Sequence, residues 1–197
     1  MKIRAAIVIG LIGGTMALAE GTEEVSTLLA SGRENLMEGK YTEAVALFEK
    51  ARSLDSTNQE AAFGLSAAFI ETKRYEEAIP LLEALNKAVP DNPMVKNNLA
   101  WALIHVKGAN PGDASRIVKL ARSALIDVPS DYSIWNTLGE AYYAAGDFEK
   151  ALRAAQSGLR LSALAGITNS PCRELVSRCR KAAGAASLET MNSDRPQ

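Results

Sequence analysis

Side chains able to do chemistry are few in this chain. One histidine, His105, stands in an alanine-rich helical stretch with no cysteine, aspartate or glutamate beside it at metal-ligand spacing. A solvated or packed imidazole is the reading for it. The two cysteines, Cys172 and Cys179, are seven residues apart on one predicted helix. That spacing separates their Cα atoms by ~10 Å, whereas a disulfide needs ~4.4–6.8 Å. They are expected to pack as small hydrophobes, the alternative being an intermolecular bridge. No serine, threonine or cysteine can be matched to a histidine base. Glycines mark turns and do not form a phosphate-cradling run. The acid pairs Glu23-Glu24 and Glu76-Glu77 open helices, where they favour the helix dipole. No catalytic residue, cofactor or metal is assigned, and no enzyme is expected.

With chemistry excluded, the elements must carry the function. The chain has 197 residues, 47% hydrophobic and 23% charged, enough for one domain with a core. A formal net charge of −1 gives no global field for nucleic acid or an anionic membrane. The first residues differ from the rest. Lys2 and Arg4 precede an apolar run, Ala5 to Ile12, then Gly13-Gly14, and Ala17-Leu18-Ala19 supplies a small-x-small site. This pattern resembles a secretory signal peptide over 1–19, with cleavage expected after Ala19. The run is short and glycine-broken for a span of ~20 residues. Export to a bacterial periplasm or the cell exterior is therefore expected, the alternative being an uncleaved anchor. Cleavage would leave a net charge of −3, because 1–19 holds two bases and no acid.

Beyond a short lead-in, 20–24, the chain repeats itself. Gly32, Ser66, Ala100 and Gly139 mark where paired helices cross, at intervals of 34, 34 and 39. Tyr41, Tyr75, Ala114 and Phe148 open the second helices, at intervals of 34, 39 and 34. Ala44, Ala78, Ile117 and Ala151 step in the same way. The four copies are 25–58, 59–92, 93–131 and 132–165. Pro80 lies inside a helix and is expected to bend it. The third copy carries the extra five residues in its Lys107 to Asp113 loop, with Asp113 a candidate N-cap. Ser170-Pro171 should start a capping helix within 166–184, its apolar stripe Cys172, Leu175, Cys179 and Ala182. The polar 185–197 reads as a disordered tail.

These residues resemble the tetratricopeptide repeat family, and the chain looks like an exported bacterial member. The resemblance rests on Gly32, Gly39, Tyr41, Ala44, Phe48 and Ala51 in the first copy, on Leu65, Ser66, Phe69, Tyr75, Ala78 and Pro90 in the second, and on Trp135, Leu138, Gly139, Tyr142, Gly146, Phe148 and Ala151 in the fourth. The third copy keeps Leu99, Ala100 and Leu103 but departs in its second helix. The resemblance implies an all-α, right-handed superhelical solenoid of four antiparallel helix pairs and a cap. It implies a concave groove lined by the first helices. Carried onto this chain, the groove takes Leu29, Arg33, Leu36 and Met37, then Phe63, Ala67 and Ile70. Met94, Asn97, Asn98, Trp101 and His105 follow, then Asn136, Glu140 and Tyr143.

Such a lining suits an extended peptide or a helix of a protein partner. Aromatics supply buried area, and Asn97 and Asn136 could bond a backbone. The family's clamp for acidic C-terminal tails is absent. Asn98 fits it, but Leu29, Phe63, Ser133 and Thr137 stand where basic or amide groups are needed. The expected function is a non-enzymatic scaffold or adaptor in envelope assembly or secretion. The alternatives are an accessory subunit of a periplasmic enzyme or biogenesis complex, as in cytochrome maturation or cell-wall synthesis, and a self-assembling repeat protein. An exposed Cys172 and Cys179 would point to self-assembly.

Overall fold

The computed structural model describes the backbone of residues 4–108 and 113–193, and the side chains of 21–108 and 113–184. The side chains of the expected leader and of the expected tail lie outside the described residues, as do residues 109–112 of the third-copy loop. Among the described residues all regular structure is helical, and no helix is long and apolar enough to cross a membrane. The chain divides into two compact units, Met1–Leu81 and Leu82–Gln197. The division falls inside helix α4 (Tyr75–Ala88), one residue beyond Pro80, and the helix is continuous through that proline.

In the first unit, α1 (Arg4–Met37) packs on α2 (Tyr41–Leu54), α2 packs on α3 (Gln59–Glu71), and α1 also meets α3 directly. Ala44, Phe48 and Ala51, spaced to share one face of α2, are fully buried. Phe48 is the centre. A Cβ on Gly32 of α1 would lie 2.7 Å from its ring, and one on Gly64 of α3 only 2.4 Å away. Both glycines are there because the ring occupies the space a side chain would need. The repeat pattern singles out Gly32 but not Gly64.

The second unit runs α5 (Pro93–His105), α6 (Ala114–Asp127), α7 (Tyr132–Ala144), α8 (Phe148–Leu164) and α9 (Pro171–Ser193). Each helix packs on the next, and α5 with α7 and α7 with α9 also touch. Gly139 is the crossing expected from the repeat. A Cβ there would meet Leu175 at 2.7 Å and the α8 backbone at Ala151 and Ala155 at 3.4 Å. The cap buries Cys172, Leu175, Val176 and Cys179, and Gly158 makes room for the Cys172 sulfur. Both cysteines are free, as spacing required.

Shared punctuation explains why the helices start and stop where they do. Asn58, Asn92 and Asp131 cap α3, α5 and α7, each accepting backbone N–H bonds at 2.8–3.2 Å. Three of the turns close alike. Lys40 N–H donates to Asn35 O, Arg74 N–H to Phe69 O and Asp147 N–H to Tyr142 O, at 2.8, 2.7 and 3.0 Å. The preceding residue is left-handed each time: Gly39, Lys73 and Gly146, at φ 75°, 61° and 77°.

Three expectations need correction. Asp113 stands at the N-cap position of α6 in the αR conformation and makes no side-chain cap bond, so its backbone does not present the carboxylate to the first turn. Helix α1 starts at Arg4, well ahead of Val25, because no proline or polar turn interrupts Arg4 to Val25. Helix α9 continues to Ser193, past 184, because Ala185, Ala186, Leu188 and Glu189 are strong helix formers and polarity is a weaker signal than propensity there.

Candidate functional site

The helices α1, α3, α5 and α7 were expected to present the binding residues. In the first unit, Arg33 is exposed and ion-paired with Glu60 of α3. Phe63, Ala67 and Ile70 of α3 are half-buried, as is Leu36 of α1, while Leu29 is buried and Met37 is 82% exposed. This part of the lining is therefore apolar, with the Arg33–Glu60 pair beside it.

In the second unit the expected residues separate into two groups. Asn98, Trp101 and His105 of α5 are half-buried and Met94 is exposed. The indole of Trp101 and the imidazole of His105 stack with centroids 4.1 Å apart and planes 33° apart. The His105 Nδ1 lies 2.8 Å from the Trp101 carbonyl oxygen, one turn earlier, which holds the ring against the indole. Asn98 has one long bond, its Oδ1 accepting from Asn97 Nδ2 at 3.4 Å. The exposed face of α5 thus offers a flat aromatic surface beside an amide with hydrogen-bonding capacity to spare.

The other group is not on an open surface. Asn97 and Asn136 are buried, at 6% and 3% exposure, and the Oδ1 of each has no hydrogen-bond partner. They cannot bond a partner's backbone as expected. The reason is spacing: each lies three residues before the small residue at a helix crossing, Ala100 or Gly139, and so shares its face. Glu140 and Tyr143 are also taken. Arg178 of the cap donates to Glu140 Oε1 at 2.7 Å and stands 4.4 Å over the Tyr143 ring. Tyr143 further meets the edge of Phe148 at 5.3 Å. Those two residues position α9. Arg178 lay off the apolar stripe of the cap, and its role could have been found only by knowing which face of α9 meets α7.

Nothing in the described residues forms a cluster of three or more metal-ligating side chains. Burial holds the thiols of Cys172 and Cys179 above the usual cysteine range. A buried, protonated thiol is a poor nucleophile.

The packing of first helix on second helix on next first helix, with shared caps and shared left-handed turns, defines an α-helical repeat array. Tetratricopeptide repeat profiles match residues 35–102 and 132–163, together half of the chain. The chain belongs to the tetratricopeptide repeat family, whose members are protein-interaction scaffolds. Among solved structures it is similar to a thermophilic TPR protein of Thermus thermophilus, at 18% identity and a TM-score of 0.66, covering 86% of this chain and 93% of that one. It is also similar to MamA from Desulfovibrio magneticus RS-1, at 14% identity and a TM-score of 0.58, covering 87% and 98%. These likenesses show the fold. Curated relatives include the RNA polymerase-associated protein CTR9 of Saccharomyces cerevisiae, 29% identical over 60% of this chain and 11% of that protein. Superkiller protein 3 of Schizosaccharomyces pombe is 31% identical over 56% of this chain and 8% of its own length. The chain spans about a tenth of these relatives.

Proposed function

We propose that the chain is an exported scaffold that holds a peptide or helix of a protein partner on the faces of its first helices, in envelope assembly or secretion. The observation carrying this reading is the Trp101–His105 stack on α5, left half-exposed beside Asn98 and Met94. A large aromatic side chain that keeps part of its surface exposed is the usual kind of anchor for an interface. Asn98 supplies a bond to a backbone group, and the first unit has an apolar lining of its own in Phe63 and Ile70. The export part rests on Lys2, Arg4, the apolar run and Ala17-Leu18-Ala19.

The test is a photo-crosslinking residue at Asn98 in cells, with mass spectrometry of the captured product, repeated in Trp101→Ala. One dominant protein partner is expected, lost by more than tenfold in the variant while helicity is kept, as truncation of an aromatic anchor costs ~2 kcal/mol or more. Undiminished capture in Trp101→Ala would remove the indole from the site. The mass of the captor reports the leader, since cleavage after Ala19 starts the chain at Glu20.

A further inference from the structure

Among the described residues, nothing packs on the outer side of the cap helix between Pro171 and Gly184. Between Pro171 and Gly184, Arg173, Arg180 and Lys181 are exposed, and none forms an ion pair among the described residues. Glu174 is the one acid on that stretch. Arg160 of α8 is exposed as well, and Leu164, which ends α8 before the connection to α9, is 81% exposed. The outer side of α9 is cationic, and an exposed leucine ends the helix before it.

Its complement lies in the same chain. Residues 20–81 hold twelve acids and six bases, while 82–197 hold eleven acids and fourteen bases. At the start of the first unit, Val25, Leu29, Leu54 and Asp55 line a cavity of ≈ 410 Å³, and Leu54 is 47% exposed. Glu23 and Glu24 lie alongside on α1, and Glu24 pairs with Lys50 at 2.8 Å. In a repeat array such a face is one that a neighbouring repeat covers.

We infer that the outer side of α9, with Leu164, docks on the acidic leading face of α1 and α2 of a second copy. Leu164 enters the Val25–Leu29–Leu54 cavity, and Arg173, Arg180 and Lys181 meet Glu23, Glu24 and Asp55. The two surfaces differ, so the contact is heterologous and further copies can add. A second copy is the favoured occupant because the chain itself carries the complementary charge, residues 20–81 holding six more acids than bases. The cysteines play no part: Cys172 and Cys179 face inward, so the association is electrostatic with one apolar contact.

The test is the mass of the full 21.0 kDa chain by light scattering against concentration. At ~10 mM salt the Debye length is ~30 Å and at ~1 M it is ~3 Å, so masses above the monomer are expected at the first and monomer at the second. The triple reversal Arg173→Glu, Arg180→Glu, Lys181→Glu should be monomeric at both, as should Glu23→Lys, Glu24→Lys, Asp55→Lys. Mixing the two variants should restore a complex, because their reversed surfaces match. All variants keep the leader, so association that persists in both would overturn the inference. A wild-type monomer at low salt would do the same. So would α9-dependent binding to phosphatidylglycerol vesicles or RNA that the α1 reversal leaves unchanged.

Discussion

Arg178 of α9 is bound to Glu140 of α7 at 2.7 Å, and the Glu140 side chain is only 12% exposed. A single guanidinium thereby holds the cap against the last full repeat and takes Glu140 and Tyr143 out of the partner surface. Because the Arg178 side chain is 39% exposed, solvent screens the pair and its coupling should be about 1 kcal/mol. A urea-melt double-mutant cycle with Glu140→Gln and Arg178→Met measures it. Zero coupling would mean that the apolar stripe of Cys172, Leu175, Val176 and Cys179 alone seats the cap.

The ring of Phe48 between Gly32 and Gly64 predicts a large effect from the smallest possible side chain. Gly64→Ala improves helix propensity by about 1 kcal/mol, yet its Cβ would lie 2.4 Å from the ring. Overpacking costs about 1–3 kcal/mol, so a net loss of up to about 2 kcal/mol is expected. Adding Phe48→Leu should make the alanine neutral or favourable. If Gly64→Ala alone stabilises, the ring is not pinned.

Much of the fold was legible, because every repeat needs a small residue where helices cross, and Gly32, Ser66, Ala100 and Gly139 recur at fixed steps. Gly64 was not legible, since its counterparts Ala30, Asn98 and Thr137 are unrelated. Its requirement is set by one ring on another helix. The candidate site was half legible. Trp101 and Phe63 were found as large aromatics on first helices, and both retain exposure. The family's groove pattern put Asn97 and Asn136 on the open face, although their spacing to Ala100 and Gly139 puts them inward. Position outweighed residue type.

Lys73 occupies the left-handed turn position that Gly39 and Gly146 fill elsewhere. A non-glycine residue there costs about 1–2 kcal/mol, and glycine returns part of that through a freer unfolded chain. Lys73→Gly should therefore stabilise the chain by about 0.5–1 kcal/mol, read as a shift in urea midpoint at constant slope. Lys73→Val, with a β-branched side chain at positive φ, should shift it the other way.

Cys172 and Cys179 should react slowly with a thiol reagent in the folded chain and fast in urea. Burial raises both thiol pKa values above those of the unfolded chain. Below the unfolded thiol pKa both states are protonated and nothing changes. As pH rises past ~8.5 the unfolded thiols ionise first, so stability should fall. The urea midpoint should drop between neutral pH and pH ~9.5, and less so in Cys179→Ala. An equal drop in both proteins would assign the slope to other groups.

The buried amides of Asn97 and Asn136 give a prediction that separates fold from function. An acceptor without a partner in a dry interior costs about 1–3 kcal/mol, and each Oδ1 is in that state. Leucine is close in size and has no polar atom to satisfy. Asn97→Leu loses only the 3.4 Å bond to Asn98 and should gain about 1 kcal/mol. Partner capture should be unaffected, because the residue is 6% exposed. Trp101→Ala should do the opposite, lowering the urea midpoint while the chain stays folded, with loss of capture. If Asn97→Leu also abolished capture, the amide would have to turn outward in the complex. The partner surface on α5 would then be larger than Met94, Asn98, Trp101 and His105.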